Sequence, residues 1–360
     1  MEASSGQISR RTALGALGGI GAAIIAGGLV TACGDDKGAP SSDSSESTAT
    51  TDTADEAGGG DVFAVGFSNP LGSNASLSVL QRSIEARGRV LGWESTTSLD
   101  ANLDINKQLA DIDQLIASGV NGIIVFPLDA KALNPAIERA KAAGIKAVCV
   151  NLTLGQEVPE LGLFDASVDQ GQAAVAREAA EIVLKAVGAG ARVLGVGLGF
   201  PVPALEFQLA QYEALIVAGG GTWLGRVDNP TDDAAGAQPV VEQAITRFDS
   251  IDAVMCYNDP SAVGAASAFE SQGETAVITG SNGSSDGVGA VKSGRITATW
   301  DLQFWLQGLT MANVVNDLMI GSPTAPSTTV PTLMLTKDNL DQQVDAETAI
   351  KDIEAGKLVK

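Results

Sequence analysis

From Asp61 onward, short apolar runs alternate with longer stretches in which apolar residues recur every three or four positions. The short runs predict strands at Val62–Phe67, Gly92–Thr97, Gly122–Phe126, Ala147–Val150, Val193–Gly197, Thr222–Val227, Ala253–Tyr257 and Ala276–Gly280. The stretches between them predict helices at Leu77–Leu91, Ile105–Ser118, Ala132–Ala143, Gln170–Ala186, Leu205–Val217, Ala234–Arg247 and Ser261–Ser271. Several stop at a glycine, as at Gly119, Gly144 and Gly273, which suits a left-handed helix end. Such alternation predicts βαβ units and parallel sheets. Four βα units run from Val62 to Val150 and four more from Val193 to Gly280, so two doubly wound lobes stand in tandem. A strand near Thr297–Leu302 and a helix at Phe304–Met319 follow. A Pro/Ser/Thr-rich loop at Ser322–Pro331, a strand at Thr332–Thr336 and a helix at Ala346–Ala355 close the chain.

The N-terminal region has a different pattern. Ser9-Arg10-Arg11-Thr12-Ala13-Leu14 precedes an uncharged Gly/Ala/Ile-rich run that ends in Val30-Thr31-Ala32-Cys33-Gly34. A basic start, an apolar stretch and small residues before a processing point describe a secretory signal over 1–33. The arginine pair resembles a twin-arginine signal, with Ala13 where that pattern usually carries Phe. Val30-Thr31-Ala32-Cys33 resembles a bacterial lipobox, which implies that Cys33 becomes the lipidated mature N-terminus. The alternative is an uncleaved transmembrane anchor, since the run is long enough to span a bilayer. Either reading leaves the rest of the chain tethered outside the cytoplasm. Residues 34–60 are rich in Ser, Thr, Asp and Gly and too poor in apolar residues to fold, so they are expected to be a flexible linker.

Composition narrows the classes. The 300 residues after position 60, out of 360, exceed a comfortable single core. A chain that is 45% hydrophobic and 4% aromatic suits a packed α/β protein. The net charge of −21 argues against nucleic acid and against adsorption to anionic lipid. The absence of His removes His-based triads and His-containing metal sites. With Cys33 lipidated, Cys149 and Cys256 remain; both lie in apolar runs of different lobes and read as buried free thiols. No nucleophile has a recognisable base partner, so no catalytic set, metal or cofactor is expected.

Ligands of doubly wound sheets bind beyond the carboxyl ends of the strands. Four Asn residues stand there: Asn69, Asn151, Asn258 and Asn282, two per lobe. An amide side chain both donates and accepts, which matches the hydroxyls of a neutral polyhydroxylated ligand. Lys and Arg, which usually meet an anion, are absent from these four junctions. Asn also caps helices and fills turns, so a structural role competes at each position. Asp259 is expected to cap the helix that opens at Pro260. Phe200 and Trp300 are candidates to pack on the C–H face of a carbohydrate, with core or hinge packing open for Trp300. Trp93 and Trp223 read as core. Glu206, Gln208 and Asp301 could complete the hydroxyl contacts. Asp228-Asn229-Pro230-Thr231-Asp232-Asp233 lacks the full spaced calcium ligand set and reads as a turn with a helix cap.

From Val62 to about Leu335 the chain resembles the ribose-type periplasmic binding proteins of the type 1 fold. Ala253-Val254-Met255-Cys256-Tyr257-Asn258-Asp259-Pro260-Ser261-Ala262-Val263-Gly264-Ala265 carries most of the resemblance. Val277-Ile278-Thr279-Gly280-Ser281-Asn282-Gly283, Gly294-Arg295-Ile296-Thr297-Ala298-Thr299 and Gly119-Val120-Asn121-Gly122-Ile123-Ile124-Val125-Phe126-Pro127 add to it. The resemblance implies two lobes that close on a sugar about a three-stranded hinge, one of 61–152 plus 303–331, the other of 153–302 plus 332–360. It implies a monomeric, lipid-tethered capture protein of an ABC importer that delivers its solute to a permease. A ligand-presenting sensor for a membrane receptor is the alternative. By position, Asn258 matches a sugar-binding Asn and Asn69 a first-loop Asn. Asn282 and Asn151 stand where many members have Asp, and Leu152 replaces an Arg. Leu71-Gly72 replace an aromatic pair, Glu206 and Gln208 occupy a loop that usually carries Arg, and Leu302 replaces a Gln beside Gln303. Fewer Arg and fewer aromatics than the family pattern fit a smaller or less ring-like ligand, so a sugar alcohol ranks beside a sugar.

Overall fold

The computed structural model describes residues 62–152 and 161–359; the leader, Cys33 and the 34–60 linker lie outside them. In chain order the elements are β1 (Ala64–Asn69), α1 (Ala75–Leu91), β2 (Ser95–Asp100), α2 (Ile105–Ala117), β3 (Gly122–Val125), α3 (Asn134–Ala142), β4 (Lys146–Val150) and β5 (Ala166–Gln170). They continue with α4 (Gln172–Val187), β6 (Arg192–Leu198), α5 (Pro203–Ala218), β7 (Thr222–Asn229), α6 (Ala234–Arg247), β8 (Ala253–Cys256), α7 (Asp259–Gln272), β9 (Val277–Thr279) and α8 (Ser285–Ser293). The last are β10 (Thr299–Asp301), α9 (Phe304–Met319), β11 (Ser327–Val330), β12 (Leu333–Leu335) and α10 (Ala346–Glu354).

Polar caps and glycines set the helix ends. Asn74, Asp104, Asp233, Asn258 and Ser284 each accept a backbone N–H of the helix they open, which satisfies donors the first turn leaves orphaned. Gly119, Gly144 and Gly273 stand in the left-handed region, as their positions after helices predict.

The strands form two parallel sheets. The first has the order β11-β5-β4-β3-β1-β2 and the second β7-β6-β8-β9. β10 extends the second sheet through parallel bridges, Thr279 to Ala298 and Asn282 to Asp301, and β12 lies antiparallel on β10. This is the two-lobed α/β architecture expected from the periodicity. One apolar cluster runs from Phe67, Ile124 and Val168 in the first lobe through Val175, Tyr212, Met255 and Trp300 in the second. Separate clusters fill the other face of each sheet. Cys149 and Cys256 are buried free thiols on β4 and β8.

Three elements were not anticipated. β5, Ala-Ser-Val-Asp-Gln, falls where no strand is expected and overlaps the predicted start of a helix at Gln170, yet all five residues are buried. Its polar groups are satisfied inside the fold: Ser167 donates to Asp169 at 2.8 Å, and the Gln170 amide finds the partners described below. β11 lies in the segment expected to be loop, where Ser327–Val330 pair parallel with Ser167–Gln170. α8 is masked by its two glycines; a Cβ on Gly287 would lie 2.2 Å from Asp259, so packing excludes a larger residue there.

The lobe boundaries shift as a result. β5 falls in the range assigned to the second lobe, but pairs in the first sheet. The chain first crosses at Gly171, again at Leu302–Gln303 and back at Pro331–Thr332. Gln303, with φ 50°, donates its amide to the Pro331 carbonyl at 2.8 Å and so ties the second crossing to the third. The C-terminal helix was also expected in the second lobe. Instead α10 buries Ala349, Ile350 and Ile353 against Ala86, Trp305 and Leu309 of α1 and α9. Arg82–Glu347 and Arg89–Glu354 ion pairs flank this seam. The chain thus makes a fourth crossing, pinned midway where Gln343 donates to the Gly283 carbonyl at 2.7 Å.

Ile353 is fully buried. Ile353→Ala is expected to cost about 3 kcal/mol, lost mainly from the docking of α10. Hydrogen exchange should show protection falling across α10 while β1, β3 and β4 stay protected.

Candidate functional site

The carboxyl ends of both sheets face one cavity of about 120 Å³. At roughly 10–15 Å³ per water-sized sphere, that is room for roughly ten non-hydrogen atoms. The first lobe contributes Pro70, Leu71 and Asn74 after β1, Phe126–Leu128 after β3, Asn151 after β4 and Gln170 at the end of β5. The second contributes Leu198, Leu205 and Gln208 around β6 and α5, Asp232 after β7, Tyr257 and Asn258 after β8, and Asn282 after β9. Leu302 and Phe304 line it from the second crossing.

The polar groups form two clusters. In one, Asn151 and Gln170 bond reciprocally: the Gln170 N–H donates to Asn151 Oδ1 at 2.7 Å, and Asn151 Nδ2 donates to Gln170 Oε1 at 2.8 Å. Asn151 adopts φ 54° to do so, a conformation Asn tolerates better than most residues. Gln170 also donates to Gln307 and accepts from Gln172, each at 2.9 Å. In the other, Asp232 accepts from the Tyr257 hydroxyl, from Asn258 Nδ2 at 2.7 Å and from Asn74 Nδ2 at 3.3 Å. Asn74 belongs to the first lobe and Asp232 to the second, so this last bond spans the cleft. Gln208 donates to Tyr212 at 2.5 Å, and burial pushes the Tyr212 hydroxyl pKa far up.

Of the residues predicted from sequence, Asn151, Gln208, Asn258 and Asn282 line this cavity. Asn69, Phe200, Glu206, Trp300 and Asp301 do not. Asn69 turns inward, accepting the Leu71 N–H at 3.1 Å and donating to Gln81 at 3.2 Å. Glu206 pairs with Arg226 at 2.6 Å. Trp300 is fully buried and donates to Glu178 at 2.6 Å, so the core role left open for it prevails. Asp301 accepts the Gln303 N–H at 2.7 Å and lines a separate cavity beside Gln343. Phe200 is half-buried in the bend after β6. Asn74, Gln170, Gln172, Asp232 and Tyr257 also line the cavity. Gln170 and Gln172 fall in a predicted helix and Asp232 in a predicted turn, so no pattern in the sequence singles them out.

The helix-cap assignments also change. Asn258, not Asp259, caps α7, accepting the Ser261 N–H at 2.9 Å. Asp259 instead accepts from the Ser284 N–H at 2.7 Å and the Thr299 hydroxyl at 2.5 Å, which binds the loop after β9 and the start of β10 to α7. Asp228 and Asn229 end β7, and the bend after them, Pro230–Asp233, places Asp233 to cap α6 at 2.7 Å.

Residues 65–323 match the periplasmic binding protein domain, more than half of the chain. The chain belongs to the periplasmic binding protein family. It is 25% identical over 276 residues to the ribose import binding protein of Bacillus subtilis, which covers 75% of this chain and 86% of the relative. A xylitol-binding protein of Mycolicibacterium smegmatis is 29% identical over 267 residues, 71% of each chain. A Caulobacter myo-inositol binding protein, solved with myo-inositol bound, superposes with a TM-score of 0.70 at 22% identity, covering 79% of this chain and 96% of that one. The relatives are sugar- and polyol-binding proteins of importers, and the family is an extracytoplasmic solute-binding family rather than one of enzymes.

Burial pushes the Asp259 carboxyl up to about 7, from an ordinary value of 3.8. A folded-state value above the unfolded one means that protonation favours folding. This contribution is complete below about pH 4 and is lost as pH rises through about 7. The melting temperature should therefore decline between about pH 4 and 7, and Asp259→Asn should flatten that decline. Parallel profiles for the two proteins would contradict the assignment.

Proposed function

We propose that the protein captures a neutral sugar or sugar alcohol in the interlobe cleft and delivers it to an ABC permease. The observation that carries this reading is the lining itself: amides from both lobes, Asn151, Gln170, Gln208, Asn258 and Asn282, with no Lys or Arg among the described lining residues. Amides exchange donors and acceptors freely with hydroxyls. Leu71, Leu128, Leu205 and Phe126 offer apolar surface to the C–H faces of such a ligand. Asn151 and Gln170 come from the first lobe and Asn258 and Asn282 from the second, so bound ligand contacts both lobes and favours the closed state by its differential affinity. The names of the relatives, ribose import, xylitol-binding and myo-inositol binding, support the same ligand class. Outside the described residues, the lipobox-like Val30–Cys33 and the 34–60 linker support a lipid-tethered body that samples the membrane surface.

A thermal-shift screen across sugars, polyols and amino acids tests the ligand class. A polyol at about 100 times its Kd should stabilise the folded protein by about 2.7 kcal/mol, a rise of several degrees. A response to charged amino acids and none to polyols would refute the reading. Asn258→Ser keeps a helix-capping oxygen but removes the amide donor. It should weaken binding roughly 10- to 100-fold with little change in melting temperature; unchanged affinity would remove Asn258 from the site.

Cys33→Ser should abolish incorporation of labelled fatty acid and release the protein from the membrane fraction. Retention in that fraction would favour the uncleaved apolar anchor.

A further inference from the structure

We propose that Asp232 is the charge filter of the cleft, the residue that admits neutral polyols and rejects their acids. The inference rests on the polyol-binding reading above and adds to it the group that sets charge specificity. Among the described residues that line the cavity, Asp232 is the one formally charged side chain. Its three donors are neutral: the Tyr257 hydroxyl and the Asn258 and Asn74 amides. Hydrogen bonds from neutral groups stabilise a carboxylate without cancelling its field. Burial acts in the opposite sense and raises the pKa of the group.

The backbone supports a specific placement. Asp232 is held at φ 60°, in the left-handed region, and Gly236 behind it leaves space where a Cβ would meet Thr231 at 2.1 Å. A residue other than Gly, Asn or Asp is disfavoured in this conformation, so the loop presents a short polar side chain at this point. Two unit charges of like sign about 6 Å apart, at an effective dielectric constant of about 20, repel by about 2.8 kcal/mol, roughly a hundredfold in affinity. A sugar acid bound in this cavity sets its carboxylate among the same lining residues as Asp232. The same carboxylate accepts hydroxyl hydrogens, so the neutral polyol is favoured twice.

Asp232→Asn tests this directly, because Asn keeps the shape and suits φ 60° at least as well as Asp. Isothermal titration with xylitol, ribitol and D-xylonate compares the two proteins. Wild type is expected to bind a polyol about a hundredfold more tightly than D-xylonate, and Asp232→Asn to narrow that ratio at least tenfold. Asn74→Ser keeps the α1 cap but breaks the bond across the cleft; it should weaken polyol binding and leave the ratio unchanged. A wild type that binds D-xylonate as tightly as polyol overturns the filter, as does an Asp232→Asn protein with the wild-type ratio. A wild type that binds no neutral sugar or polyol of the thermal-shift screen overturns the underlying functional reading, and the filter with it; one that binds a sugar but neither polyol is titrated with that sugar in their place.

Discussion

The reciprocal amide pair between Asn151 and Gln170 holds the ends of β4 and β5 together where the chain leaves the first sheet. Everything past that point depends on it. Gln170 is the last residue of β5, Gly171 is the first crossing and Gln172 opens α4. Gln170 also reaches Gln307 on α9, so the helix that follows the second crossing is joined to the first. A buried amide left unpaired costs about 1–3 kcal/mol, and in this network Gln307 Nε2 is the group without a partner. The paired amides tie the crossings to one another and leave the cleft polar at its floor.

The second lobe is organised by carboxylates rather than amides. Asp259 joins α7, the α8 cap and β10 through neutral donors. Asp232 gathers Tyr257, Asn258 and Asn74 in the same way. Burial raises the pKa of Asp232, Asp259 and Asp301 alike. Of the three, Asp232 is the one that lines the cavity, among the described residues. Asn258 links structure to binding: its oxygen caps α7, and its amide faces Asp232 and the cavity. The helix-capping role weighed for this residue is present, and the amide proposed to meet ligand is a different atom of the same side chain.

The fourth crossing adds a constraint that a three-strand hinge lacks. β12 belongs to the second lobe, but α10 is docked on α1 and α9 of the first. The Gln343–Gly283 bond ties the segment that connects them to the second lobe. Exposed pairs such as Arg89–Glu354 contribute little to this docking. The apolar seam around Ile353 and Trp305 carries it.

What the sequence determined by itself was the local order of the protein. Hydrophobic periods of two and of three to four, with Gly and Asx at the boundaries, located most strands and helices and hence two parallel sheets. The topology rule for such sheets then led to Asn151, Asn258 and Asn282 at strand ends, because backbone direction alone decides which end is open to ligand. Only the tertiary structure decided the rest. β5 has no apolar period, since its Ser, Asp and Gln are satisfied by partners distant in sequence, such as Gln307. Asn69 occupies the same kind of strand end as Asn258, yet Gln81 and the Leu71 N–H capture it. Trp300 is core because α4 brings Glu178 to its ring nitrogen. Asp232 enters the cleft because a left-handed turn aims it there, and α10 returns to the first lobe because its apolar face fits α1 and α9. Side-chain direction and long-range packing are properties of the folded surface, and one-dimensional spacing does not encode them.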